Sequence, residues 1–186
     1  MQTIANIDFD STLYSQAHHW MLILYQMNEP SMAIHLDNVH LMRFIQPFDN
    51  MPRCQNYINT NTVKTFTLFS YIGNILTWLW NNNAIPDHLN HIIIFCPSSS
   101  DKKYLQAWTK RYTKKIRDII THDALDRELL IAGMKYIEEL CSYCEDEGVL
   151  NLLKEDHKKV CLALMYSVAN QITLQDEYIR LSEEAS

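Results

Sequence analysis

Glycine is nearly missing from this chain, at three in 186 residues, and proline is scarce at five. All-β proteins need both residues at their many tight turns, so the shortage argues against that class. It also removes the usual phosphate cradles. No G-x-x-x-x-G-K-[ST] or G-x-G-x-x-G occurs, and G-x-S-x-G and H-E-x-x-H are missing too. The sequence therefore nominates no catalytic residue, and the expectation is a non-enzymatic protein that needs no cofactor. Long apolar runs are absent as well, none approaching the eighteen or so residues that span a bilayer. There is no secretory leader at Met1, and cysteine occurs five times, an odd number. Together these point away from a membrane and toward a reducing compartment, cytoplasm or nucleus, with free thiols. Basic excess is lacking too: the net charge is −6, which argues against a general nucleic-acid binder, since phosphate affinity comes mainly from Lys and Arg.

What is present suits helix. Residues are 47% hydrophobic and 20% charged, enough for one domain with a real core. In LYSQAHHWMLILYQM (13–27), Leu13, Ala17, Trp20, Met21 and Leu24 fit one helical face, ended at Glu29-Pro30. His18 and His19 diverge on such a helix and cannot share a metal. A short amphipathic piece follows from Asp37 to Ile45, then a loop over 46–61 containing Pro47 and Pro52. Asn61 or Thr62 then caps a helix in which Phe66, Phe69, Ile72, Leu76 and Leu79 recur at 3, 3, 4 and 3. HIIIFC (91–96) reads as an extended segment.

Ser98 and Asp101 have capping-box spacing, and Leu105, Trp108, Tyr112, Ile116 and Ile119 then predict one amphipathic helix. Its other faces carry Lys102, Lys103, Lys110, Arg111, Lys114, Lys115 and Arg117, a basic surface suited to water or an acidic protein. Asp123 or Asp126 opens a further helix bearing Leu130, Met134, Ile137, Cys141 and Cys144 on one face. An acidic turn, Glu145 to Glu147, and Gly148 precede the last helix, where His157, Cys161, Leu164 and Val168 share a face.

Cys141-x2-Cys144-x12-His157-x3-Cys161 matches the spacing of a zinc finger. Both pairs also lie on apolar helical stripes, where they would pack as buried thiols of two antiparallel helices. The two readings stay side by side, with no metal as the first expectation.

From Phe66 to Ile179 the order of elements resembles the N-terminal half of a cyclin box, closest to cyclins of the phosphate-pathway type. The residues are the Pro97–Ser100 linker, Tyr104-Leu105 at the head of a helix, and Gly133, Tyr136, Ile137 and Leu140 in the next. His157-Lys158 with Ala163, and then Asp176-Glu177-Tyr178, complete the pattern. The resemblance implies an interaction subunit that binds a cyclin-dependent kinase and does no chemistry itself. Ala169 stands where the family has a kinase-contacting lysine, and the family's fifth helix would fall beyond Ser186; both weigh against ordinary kinase activation.

The expected fold is thus all-α, one helical domain of about six helices. Residues 1–60 form an N-terminal helical extension, and 61–186 a cyclin-box-like domain. The expected partner-binding residues are His157, Val160, Leu164, Ser167, Val168 and Asn170. Two other readings are a helical structural or adaptor subunit without a kinase link, including a viral helical protein, and a zinc-stapled nucleic-acid module using Lys102 to Arg117.

Overall fold

The computed structural model describes residues 7–9, 11–14, 17–25, 39–80, 85–112 and 114–184. The elements run α1 (Ser11–Tyr14), β1 (His19–Leu24), β2 (Ile45–Phe48), α2 (Met51–Thr60), β3 (Thr65–Tyr71) and α3 (Ile72–Trp80). They continue with β4 (Leu89–Cys96), α4 (Ser99–Trp108), β5 (Ile116–Thr121), α5 (Leu125–Tyr143) and α6 (Glu147–Glu184). The strands form one parallel sheet in the order β2-β1-β3-β4-β5. The all-α expectation is therefore corrected to α/β, and with it the cyclin-box-like build of residues 66–121, where β3 and β5 stand in place of helix and the extended 91–96 segment belongs to a third strand. Two compact units are present, Met1–Asp126 and Arg127–Ser186, with α5 spanning the division.

The cause of the correction is physical. Strands buried on both faces lose the alternation that marks a half-exposed strand and read as apolar runs. In β1, Met21, Leu22, Ile23 and Leu24 are all buried, and in β3 so are Phe66 and every residue from Leu68 to Tyr71. α3 then begins at Ile72 with no residue between, so a 3-and-4 spacing runs unbroken across a strand and a helix. Among its described residues, the expected helix over 13–27 has the end of α1 and then β1; residues 15, 16, 26 and 27, the Glu29-Pro30 stop and the start of the 37–45 piece lie outside the described residues.

Proline was misread for a related reason. Pro47 lies within β2, which among the described residues is an edge strand beside β1, where a missing N–H is tolerated. The expected loop over 46–61 is mostly α2. The Asn50 side chain caps it by accepting from Arg53 N–H at 3.1 Å, and Pro52 sits in its first turn.

One core lies against the face of the sheet that presents Leu22, Leu24, Phe66, Leu68, Ile92 and Ile94. Cys54 and Ile58 of α2, Ile75 and Trp78 of α3, and Leu105 of α4 belong to the same cluster. The aromatic density of the Phe66–Trp80 stretch is absorbed here as packing. Tyr57 stacks on Trp20 at 5.8 Å between ring centroids and lies 6.2 Å from Phe66.

Ser98 caps α4, as its spacing to Asp101 predicts. Asp101 N–H donates to Ser98 Oγ at 3.2 Å, and Ser98 Oγ donates to an Asp101 carboxylate oxygen at 2.6 Å. The basic helix expected over 98–121 ends early, however. α4 stops at Trp108, a 3-10 turn covers Thr109–Tyr112, and β5 follows.

In the second unit α5 and α6 are joined by Cys144, Glu145 and Asp146, as the acidic-turn reading expects. Arg127 near the start of α5 donates to Gln171 Oε1, far along α6, at 3.3 Å, so the two helices run back along one another. α6 has 38 residues, about 57 Å at 1.5 Å per residue.

Candidate functional site

All six residues expected to bind a partner lie on α6, but on different sides of it. Val160 is buried at 1% exposure, His157, Leu164 and Ser167 are half-buried, and Val168 and Asn170 are exposed. At 3.6 residues per turn, Leu153, His157, Val160, Leu164, Ser167 and Gln171 form one covered seam. The surface anticipated from sequence is thus mostly the helix's inner side.

The outer side carries what sequence reasoning missed. Leu162, Met165, Tyr166, Val168, Ile172 and Leu174 are exposed, from 40% at Val168 to 70% at Tyr166. Residues 160–175 contain no Asp, Glu, Lys, Arg or His. A surface helix ordinarily sets charged groups opposite its apolar seam, so a helix apolar on both sides has a second surface to cover. The signal was present as a second 4-and-3 repeat (158, 162, 165, 169, 172, 176), but only burial tells which of the two seams is already covered.

The four residues with zinc-finger spacing are not brought together. His157 and Cys161 are one turn apart on α6, with the thiol 3.8 Å from Nδ1 and 3.9 Å from Nε2. Cys144 sits in the turn and donates to the Asp146 carbonyl at 3.4 Å. Glu147 to His157 is continuous helix, about 15 Å of rise, whereas zinc ligands lie within about 5 Å of each other. Among the described residues no group of three or more His, Cys, Asp or Glu could hold a metal ion.

In the sheet unit, the strand order reverses between β1 and β3, the topological switch point where open α/β sheets bind ligands beyond their carboxyl ends. The same 2-1-3-4-5 order occurs in flavodoxin-like sheets. Here the lip is formed by Tyr25, Ser70, Tyr71 and the first turn of α3, with Asp49 after β2. Ser70 is fully buried and its hydroxyl donates to the Tyr71 carbonyl at 3.2 Å. Burial, and then the Asp49 charge, push the Tyr25 phenol up, so it stays protonated. Asn74 Nδ2 is buried without a hydrogen-bond partner.

Cys96, at the end of β4, donates to the carbonyls of Ile120 at 3.3 Å and Ser98 at 3.5 Å. Burial raises its pKa, with a smaller push from Asp101. In the core, burial holds the Cys54 thiol up at about 12. Both are thereby kept as neutral thiols, the poorly nucleophilic form.

The basic residues once assigned to a single helix have separate tasks. Lys115 Nζ donates to the carbonyls of Asp87, Leu89 and Pro86 at 2.8, 3.0 and 3.3 Å, tying the entry of β4 to that of β5. Among the described residues no helix is long and apolar enough to cross a membrane. Comparison of the chain with protein-family models, curated proteins and solved structures finds no match.

Proposed function

We propose that this chain is a non-enzymatic protein–protein interaction subunit, in which the parallel-sheet unit is a scaffold and α6 presents the binding surface. The observation behind this reading is the uncharged outer side of α6, where Leu162, Met165, Tyr166, Val168 and Ile172 are exposed. Large exposed apolar patches on soluble proteins mark places where another macromolecule docks. The reading keeps the helix expected from sequence to bind a partner, including a kinase, and turns it so that the outer seam makes contact instead of Val160. Five free cysteines favour a reducing compartment, cytoplasm or nucleus. Against a nucleic-acid module stand the dispersal of Lys102 to Arg117 over a helix, a turn and a strand, and the use of Lys115 as a strut.

The test is photo-cross-linking in the full chain, with a benzophenone amino acid at Tyr166 or, as control, at exposed Glu139 of α5. Discrete protein adducts from position 166 and none from 139 support the reading. No adduct from 166 removes it.

A further inference from the structure

α6 carries a second seam, Lys158, Leu162, Met165, Ala169, Ile172 and Asp176, at spacings of 4, 3, 4, 3 and 4. Its residues from Lys158 to Ile172 stand outside the covered face; Leu162 is 45%, Met165 67% and Ile172 55% exposed. Lys158 and Ala169 are exposed as well. An alternating 3-and-4 spacing is that of a coiled-coil interface, in which each side chain enters a gap on a facing helix.

We infer that this seam binds the same seam of a second copy of the chain, with the two α6 helices antiparallel. This rests on the reading of α6 as the binding surface and names its occupant. Three features favour that occupant and that direction. First, the spacing is the same read from either end, with its midpoint at position 167. A twofold axis there sets 158 against 176, 162 against 172 and 165 against 169 of the partner, as an isologous interface requires. Second, the charges are complementary only in this direction. Lys158 faces Asp176 twice, whereas a parallel pair sets lysine on lysine and aspartate on aspartate. Third, the sizes are complementary only in this direction. The long Met165 side chain meets Ala169, where a parallel pair would crowd two methionines at one level and leave a gap between two alanines at the next. The absence of any charge over 160–175 means that no like pair is desolvated at the centre.

The contact is one helix on one helix, so it belongs with the weak, concentration-dependent dimers. Sedimentation velocity of the full chain over a concentration series tests it. The expected result is a reversible shift from one 21.9 kDa chain to two. Met165→Asp abolishes the shift. Its side chain is 67% exposed, so circular dichroism remains that of the folded chain. Lys158→Asp and Asp176→Lys each weaken the dimer about tenfold, since each turns two attractive pairs into repulsive ones, on the order of 1.4 kcal/mol in all. Combined in one chain they restore the dimer to near its original strength. A parallel dimer gives no such restoration and overturns the antiparallel register. A chain that stays monomeric at every concentration overturns self-association altogether. In that case an adduct of another mass from the benzophenone at position 166 leaves the interaction reading standing, and the lack of any adduct ends both.

Discussion

Asp146 Oδ1 accepts a hydrogen bond from Val149 N–H at 2.9 Å, and the Asp146 carbonyl accepts from Leu150 N–H at 2.8 Å. One residue thereby starts the longest helix of the molecule, with its negative charge at the positive end of the helix dipole. Asp146→Ala is expected to cost about 1 kcal/mol of local helix stability. Amide hydrogen exchange checks this, and the loss of protection should be largest at Val149 and Leu150. A Cβ at Gly148 would stand 3.2 Å from the same Oδ1. Gly148→Ala should therefore stabilise α6 more in the Asp146→Ala chain than in the original, because in the original its helix-propensity gain is offset by pressure on the cap.

The ring of His19, at the start of β1, bridges two threonine hydroxyls of β3. Its Nδ1 is 2.9 Å from Thr65 Oγ1 and its Nε2 is 2.9 Å from Thr67 Oγ1. Both threonines are on β3, so the histidine fastens β1 to β3 beside the register pair His19 and Thr65. Thr67→Val keeps the shape and removes the hydroxyl that meets His19 Nε2, so one of the two links between the ring and β3 is lost. A loss of about 1 kcal/mol is expected. Urea denaturation followed by tryptophan fluorescence reads it, since Trp20, Trp78, Trp80 and Trp108 all belong to the sheet unit.

The legible and illegible parts of the sequence divide along one physical line. α5, α6, the turn between them and the Ser98 cap were legible, because a half-exposed helix shows its period and a cap shows its chemistry. HIIIFC was legible as extended because Pro97 bounds it, and it is the C-terminal part of β4. β1 and β3 were not, because burial on both faces erases the period of two, and β5 was lost behind Leu105 and Trp108, whose helical spacing Ile116 and Ile119 happen to continue. α6 was legible as a helix, but which of its faces stays exposed was not. Two seams of equal spacing run along α6, and the sequence contains nothing to say which one its own chain covers.

His91 supplies a pH dependence with a definite sign. Desolvation, and then the charges of Arg117 and Lys115, lower its pKa below the ordinary 6.5. Between the folded and unfolded pKa values the unfolded chain binds more protons, so stability rises with pH in that window. The contribution is complete above about pH 6.5 and is lost as pH falls toward the folded value. The urea midpoint of the sheet unit should therefore drop between pH 7 and pH 5, and His91→Gln should remove part of that drop. An unchanged slope in the variant would assign the pH dependence to other groups.

The thiols should react in an order set by their surroundings. Cys54 and Cys96 are fully buried, and burial disfavours the thiolate of both, to a pKa of about 12 for Cys54. Reaction needs both access and thiolate, so neither is modified at pH 8 until the sheet unit opens. Cys141, Cys144 and Cys161 are half-buried and react in the folded chain, with Cys141 slowed by its own desolvation. A disulfide-reagent titration read by peptide mass should show three modified positions before denaturant and five after. Repeating it with zinc separates the two sequence readings of these residues. Ligation would protect Cys141, Cys144 and Cys161 together, whereas the continuous helix between Glu147 and His157 holds the two pairs apart and leaves all three rates unchanged.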